Sequence, residues 1–437
     1  MAEEYNSKYT DILEKLKGNY LFKLSLGSKE LFHSNFLEML WELDNGLFIQ
    51  MIRKLTNNED LLLLNQDDYH LSREKENFDI CIYHEINASR GDNKKPIYDL
   101  IIENKVKSIP HQTQLIAYEK KIQEANHRTN NKRGKNKKEW EADPCSYILL
   151  SLVDTFSEKK LISERNWKIV NYNDLLGAIT QVYKEDAIIK SVKQKNEADE
   201  YCNILGKYKE FIEQLHKLQK LICTDFKEKP LFDTKIISEF QRYRLHDLYI
   251  KQSCGLFVDL LKEQLNQSSE NYKFKIDLWS KYNSKKAREN NENKILILLH
   301  EEMLQGVGSV GVTICPTWSN IDVNKDFYEI IIQNGQYRHC INRAGTSKTK
   351  TVPDLWKEVM ENENAFINNP KSVQGCKEWY KGTSDYCTYR DKNNSDLYVY
   401  KYVKIDTQLH KSDSTKYSAS ELAEIMVSDI LTAVAKF

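Results

Sequence analysis

Hydrophobic and polar positions recur along this chain with two different periods, and the changes of period mark its elements. In SKELFHSNFLEMLWEL, residues 28–43, apolar side chains fall at Leu31, Phe32, Phe36, Leu37, Leu40 and Trp41. That three-and-four spacing predicts an amphipathic helix with Ser28 as its N-cap. Period-two alternation then predicts a strand over 69–74 and a second over 78–84, FDICIYH. The polar stretch 85–96, with Gly91 and Pro96, reads as a loop, and 97–107 as a third strand. Ser108 and Pro110 are helix-start chemistry, so a helix to about residue 125 follows. The run 146–153, with YILLSLV at its centre, is a fourth strand and 167–170 a short fifth. Asn173 is the expected cap of a helix running past Val182.

From about 185 to 222 the pattern is long, charged and helical, and CTDFKEKPLFDTK, residues 223–235, reads as a linker. Beyond it, strands are expected near 273–279, 294–300 and 309–315, then a hairpin, FYEIIIQNGQYRHCI, turning at Asn334-Gly335. Another strand over 397–405 and a capped amphipathic helix from Ser418 complete the chain. These elements divide into an α/β domain with a helical extension, 1–225, and an α+β domain, 226–437, without a chemical signature of its own.

Composition narrows the class. At 437 residues the chain exceeds one ordinary core. Hydrophobic residues make up 40% and charged residues 29%, a globular and not a disordered or membrane composition. Lys plus Arg equals Asp plus Glu, 64 each, so any basic surface for a polyanion must be local. The nine cysteines form no C-x-x-C pair and no zinc-spaced cluster, which suits reduced thiols in a cytoplasmic setting. The acidic, amphipathic start MAEEYNSKYTDILEKL lacks a signal-peptide core, and no apolar run is long enough to span a bilayer. A cytoplasmic protein without a membrane partner is expected.

One stretch resists a bland reading. In DLIIENKVK, residues 99–107, an apolar run leads directly into Glu103 and Lys105. Alternation places Ile101, Glu103 and Lys105 on one strand face. Two charges in so apolar a run cost on the order of several kcal/mol unless paired or bound to an ion. The pair is either a solvated ion pair at a strand end or a device for chemistry. Asp79 in FDICI is a second carboxylate inside an apolar strand. If the strands pair, Asp79 and Glu103 can converge on one hard cation, Mg²⁺ or Mn²⁺, with the carbonyl of Asn104 as a third oxygen. A lysine beside such a cation holds an attacking water or stabilises charge on a phosphoryl group. Asp99, four residues before Glu103, is a rival ligand.

The ordered set Glu30…His33-Ser34, Phe78-Asp79-Ile80, Ile102-Glu103-Asn104-Lys105 and Gln114-Leu115…Tyr118 resembles the PD-(D/E)XK nuclease superfamily. It is most similar to a prokaryotic branch with motifs E…HS, FDI, IENK and Q-L-x-x-Y, over roughly residues 25 to 185. Phe78 stands where that superfamily often has proline. The resemblance implies an α/β fold with a restriction-endonuclease-like mixed sheet core flanked by helices in the order αβββαβ, followed by a helical segment and a second α+β domain. It also implies Asp79 and Glu103 as metal ligands, Lys105 as catalytic lysine, and Glu30 as a further acid, with Glu38 its fallback; Glu30 is otherwise only a first-turn carboxylate. Gln114 and Tyr118, spaced i, i+4, resemble the nucleic-acid-contacting motif of RecB-like nucleases, and are otherwise a packed helix face with a solvated amide. Arg128, Lys132 and Arg133 lie in HRTNNKRGKNKK, either a phosphate-backbone contact or a solvated loop. Trp279, Trp318, Trp356 and Trp379 offer stacking surfaces or packing. The implied activity is Mg²⁺-dependent hydrolysis of nucleic acid, DNA before RNA, by an endonuclease or exonuclease, with phage defence as an analogy and a homodimer suited to duplex cutting. The alternatives are a catalytically inert nucleic-acid-binding module or a protein-interaction module on the same fold.

Overall fold

The computed structural model describes residues 2–26, 29–87, 94–106, 112–130, 145–153, 159–192, 194–272, 274–278, 295–304, 307–316, 326–333, 335–344, 380–381, 396–405 and 416–435. The chain forms two compact units. The first comprises Met1–Asp154, Glu158–Leu221 and Glu239–Leu248; the second comprises Thr155–Ser157, Ile222–Ser238 and Tyr249–Phe437. Each is built on a mixed sheet with helices, so the fold class is mixed α/β. No helix among the described residues is long and apolar enough to cross a membrane.

The first unit opens with α1 (Ala2–Gly18), α2 (Tyr20–Ser25), α3 (Lys29–Leu43) and α4 (Asn45–Thr56). Its sheet takes β1 (Tyr69–Arg73), β2 (Ile80–Asn87), β3 (Lys94–Lys105), β4 (Ser146–Ser151) and β5 (Trp167–Asn171) in that spatial order. The first three strands are antiparallel neighbours, whereas β3, β4 and β5 run parallel. Parallel pairing needs a crossover, supplied between β3 and β4 by α5 (Gln112–Asn130). The apolar run of β4 and the end of β3 are buried almost residue by residue, as strands covered on both faces must be. Ser28, Ser108 and Pro110 lie outside the described residues.

The β2–β3 hairpin is longer than its sequence suggests. Residues 85–87 and 94–96, expected as loop, are paired strand, with Glu85 opposite Pro96. Proline is tolerated there because β4 joins β3 only from Leu100 onward, which leaves β3 an edge at Pro96. The hairpin also carries a bulge: Ile82 pairs with Leu100 and Tyr83 with Tyr98, so Asp99 is the extra residue.

Helix α6 (Lys159–Ser163) precedes β5, and α7 (Tyr172–Val182) follows it directly. The cap of α7 is Asn171, not Asn173. Its side chain accepts from Asn173 N and Asp174 N, both at 2.9 Å. The helix starts two residues early because Tyr172, already helical, is drawn into the core at 2% exposure. The long helical stretch is two helices, α8 (Glu185–Val192) and α9 (Lys195–Asp225). The expected linker over 223–235 is packed structure. It holds the end of α9 and a 3-10 turn, with Phe226 and Leu231 buried and Lys229 O accepting from Ala419 N at 2.7 Å.

Helices α10 (Thr234–Arg242) and α11 (His246–Tyr272) follow. The sheet of the second unit contains β6 (Phe274–Leu278), β7 (Ile295–Leu304), β8 (Val307–Pro316), β9 (Asp326–Gln333), β10 (Gln336–Ala344), β11 (Tyr380–Lys381) and β12 (Asp396–Lys404). Its described strands are ordered β11-β12-β10-β9-β8-β7-β6, antiparallel except for β6–β7. The β9–β10 hairpin closes with Gln333 opposite Gln336 and Gly335 at φ 66°, a left-handed conformation that favours glycine. The final helix, α12 (Ala419–Val434), has a complete capping box between Ser418 and Glu421. Trp279, Trp318, Trp356 and Trp379 lie outside the described residues.

The cap assignment is directly testable. Asn171→Ala should cost about 1 kcal/mol in chemical denaturation, and Asn173→Ala markedly less.

Candidate active site

Strand β3 carries its last six residues, 100–105, into the interior, with Glu103 at 2% and Lys105 at 8% exposure. The apolar neighbours that make this strand central therefore force the two charges out of water. Lys105 Nζ lies 2.6 Å from Glu103 Oε1. The pair is buried, which removes the solvated-ion-pair reading. Removing two such charges from water costs several kcal/mol per ion in order of magnitude, and their attraction offsets it only in part.

Asp79 stands one residue before β2. The pairing Ile80–Ile102 places it beside Glu103 across the ladder, where opposed residues share a face. Its Oδ2 accepts the main-chain N–H of Asn104 at 2.6 Å. Glu30 lies in the first turn of α3, and its main-chain oxygen accepts Asn104 Nδ2 at 2.9 Å. The expected quartet of Asp79, Glu103, Lys105 and Glu30 is thus brought into one electrostatic neighbourhood.

Gln114 and Tyr118 reach the same place from α5. Gln114 Nε2 donates to Glu103 Oε1 at 3.0 Å and to Tyr118 Oη at 2.8 Å. Tyr118 Oη in turn donates to Asn77 O at 3.1 Å, and its ring meets Phe78 edge-on at 4.9 Å. Leu115 and Tyr118 do pack as the helix-face reading expects, but the Gln114 amide is bonded to Glu103 and not solvated. Glu103 Oε1 receives both an ammonium and an amide donor. Glu103 Oε2 is buried and has no hydrogen-bond partner among the described residues.

Burial first, and then the charges of Asp79 and Glu30, push the Glu103 carboxyl up to about 7 against the pull of Lys105. Asp79 is raised to about 6, again by burial first, although the Asn104 N–H and Lys105 favour its charged form. For Lys105, burial favours the neutral amine, but Glu103, Glu30 and Asp79 together outweigh it and raise its pKa. One ammonium stands among three carboxylates, a net negative cluster with an oxygen donor set.

Other expected positions fall elsewhere. Asp99 is no rival ligand: its Oδ2 lies 2.8 Å from His84 Nδ1, because the bulge breaks the alternation that aligned it with Glu103. Glu38 is engaged by Arg73, which removes it as the fallback for Glu30. Arg128 lies in the final turns of α5, its side chain outside the description, while Lys132, Arg133 and His111 lie outside the described residues.

Sequence reasoning missed a frame behind the site. Tyr172 Oη donates to Asn104 Oδ1. His33 is 1% exposed, with its ring 4.6 Å from that of Tyr172 and its Nδ1 2.9 Å from Tyr208 Oη. Ser34 Oγ donates to Glu30 O at 3.2 Å. The only signal for this frame was a histidine and an aromatic residue following buried patterns, which is common in any core.

The donor set admits a hard divalent cation on one structural ground: a carboxylate oxygen, Glu103 Oε2, left unpaired in the interior beside a second carboxylate. Among the described residues no group of three or more His, Cys, Asp or Glu side chains is gathered ready to hold a metal. No protein-family model matches the chain, and no curated protein matches it.

The raised carboxyl groups make a stability prediction. Between about pH 4 and about 7 the folded chain binds more protons at Asp79 and Glu103 than the unfolded chain does. Their contribution to stability therefore falls as pH rises through that window. Glu103→Gln removes the larger of the two costs and leaves Lys105 near Asp79 and Glu30. In the absence of divalent metal it should raise the Tm at pH 8 by roughly 2–4 °C and change it little at pH 4. Calorimetric scans at the two pH values check this.

Proposed function

We propose that the first unit is a metal-dependent nuclease of PD-(D/E)XK type that hydrolyses phosphodiester bonds, in DNA before RNA. The observation that carries the reading is the buried Glu103 Oε2 beside Asp79, unpaired among the described residues, on a carboxylate whose other oxygen holds Lys105. The element order supports a restriction-endonuclease-like core. From α3 onward the order is two helices, three antiparallel strands, a crossover helix carrying Gln114, and a parallel strand.

In this reading Asp79 and Glu103, with the main-chain carbonyl of Asn104, hold Mg²⁺ or Mn²⁺, and Glu30 adds charge to the site. Bound there, the ion supplies Lewis-acid polarisation of the phosphodiester and acidifies a water. Hydrolysis forms a bond from water oxygen to phosphorus and breaks the bond from phosphorus to the leaving sugar oxygen. Lys105 is placed by Glu103 to orient that water and to stabilise charge gathering on the phosphoryl oxygens. Gln114 fixes the Glu103 carboxylate through Oε1, which leaves Oε2 for the ion, and Tyr118 fixes Gln114. Beyond this supporting role the pair can also meet the nucleic acid, with Arg128, Lys132 and Arg133 along its backbone. The second unit selects substrate, partner or trigger. Action against foreign DNA in the cytoplasm, and a homodimer for duplex cutting, are extensions of the same proposal.

Two measurements test it. Supercoiled plasmid should be cut in Mg²⁺ and not in EDTA, with Lys105→Ala and Glu103→Gln each slower by about 10²–10⁴-fold. Equal rates for wild type and Lys105→Ala would refute the assignment, and plasmid binding without cleavage would favour an inert binding module. Ligation requires deprotonated carboxylates, so Mg²⁺ should raise the Tm more at pH 8 than at pH 5.5. Equal shifts at both pH values would exclude these two groups as ligands.

A further inference from the structure

Asn104, the middle residue of the Glu103-Asn104-Lys105 tripeptide, makes side-chain contacts that take no part in the proposed ion binding or hydrolysis. Its neighbours on β3 point to the site, so by alternation its own side chain points away from it. Nevertheless it touches every carboxylate-bearing element. Its main-chain N–H donates to Asp79 Oδ2 at 2.6 Å, and its Nδ2 donates to the main-chain oxygen of Glu30 at 2.9 Å. Its Oδ1 accepts from Tyr172 Oη, so the side-chain amide is bonded at both ends in a site where the residue is 1% exposed.

The Glu30 main-chain oxygen thus accepts two side-chain donors, Asn104 Nδ2 and Ser34 Oγ, one from the sheet and one from its own helix. Tyr172 is itself held. It is 2% exposed, it stacks edge-on against His33, and His33 is anchored to Tyr208. A hydrogen bond to a buried amide fixes direction as well as distance. An Asn side chain bonded at both ends has one orientation available. The chain of contacts Tyr208–His33–Tyr172–Asn104–Glu30 therefore ties α9, α3, α7 and β3 together behind the carboxylates.

We infer that Asn104 and Tyr172 are positioning residues for the metal site: Tyr172 orients the Asn104 amide, and Asn104 holds the Glu30 end of α3 and the Asp79 carboxylate in register with Glu103. Neither side chain touches substrate. The inference rests on the nuclease reading, because it assigns these residues to the arrangement of its ligands. It accounts for why glutamate, histidine and serine occur together in Glu30…His33-Ser34. The serine and histidine serve the frame that places the glutamate. Loss of the frame lets the carboxylates spread, which weakens ion binding more than it slows the chemistry of the loaded site.

The test uses the full chain and two readouts: Mn²⁺ binding by titration calorimetry, and plasmid cleavage against Mg²⁺ concentration. Tyr172→Phe keeps the ring packed on His33 and removes only the hydroxyl, so folding is retained; thermal unfolding checks this. It is expected to weaken Mn²⁺ binding and raise the half-saturating Mg²⁺ at least fivefold, with the rate at saturating Mg²⁺ within about threefold of wild type. Asn104→Ala is expected to do the same by at least tenfold. The double variant should match Asn104→Ala, because Tyr172 acts through Asn104. Wild-type metal binding in a well-folded Tyr172→Phe protein, or losses in the double variant that multiply, would overturn the positioning role and leave the nuclease reading standing. A wild-type chain that neither binds Mn²⁺ nor cleaves would overturn both.

Discussion

A carboxylate and an ammonium buried side by side at the end of a hydrophobic strand constrain everything around them in the first unit. Glu103 and Lys105 are placed by an apolar run whose other members need the interior, so the strand cannot keep its packing and solvate its charges at once. The surroundings answer with donors for one Glu103 oxygen and, among the described residues, none for the other. A core evolving for stability alone would replace such a pair by apolar side chains at little cost. The pair, with Asp79 and Glu30 adding like charge beside it, is what the proposed nuclease would use to hold a cation against an anionic substrate.

The site is assembled from elements distant in the chain, and its precision comes from side chains that carry no charge. Gln114 reaches Glu103 from the crossover helix on one side, while Asn104 reaches Glu30 and Tyr172 on the other. The charged residues are thereby held by hydrogen bonds whose donors are themselves held, Gln114 by Tyr118 and Asn104 by Tyr172. In the proposed nuclease the metal ligands would follow the general rule of being oriented by groups behind them that need not share their chemistry.

The charged residues were legible in the sequence because a carboxylate within FDICI or LIIENK violates the pattern of its own strand, and the violation is local. Elements whose period was strong, such as α3, β4 and the β9–β10 hairpin, were legible for the same reason. What escaped depended on partners far away. Tyr172 and Asn104 meet across 68 positions, and nothing near either one signals the other. The Asp99 bulge reverses an alternation argument that is sound on a regular strand. Residues 85–87 and 94–96 were expected as loop because of Gly91 and Pro96, yet they pair as strand because β3 is an edge at Pro96. Helix α11 was hidden by Lys251, Gln252 and Ser253, buried polar residues that blur its apolar stripe.

Anomalous diffraction from crystals soaked in Mn²⁺ tests the central claim most directly, because it locates the ion without reference to turnover. The account predicts a single strong peak in the first unit, within about 2.0–2.3 Å of Glu103 Oε2 and of an Asp79 carboxylate oxygen. An Mn²⁺-saturated crystal with no peak between those two carboxylates, and Glu103 Oε2 still unpaired, would contradict it.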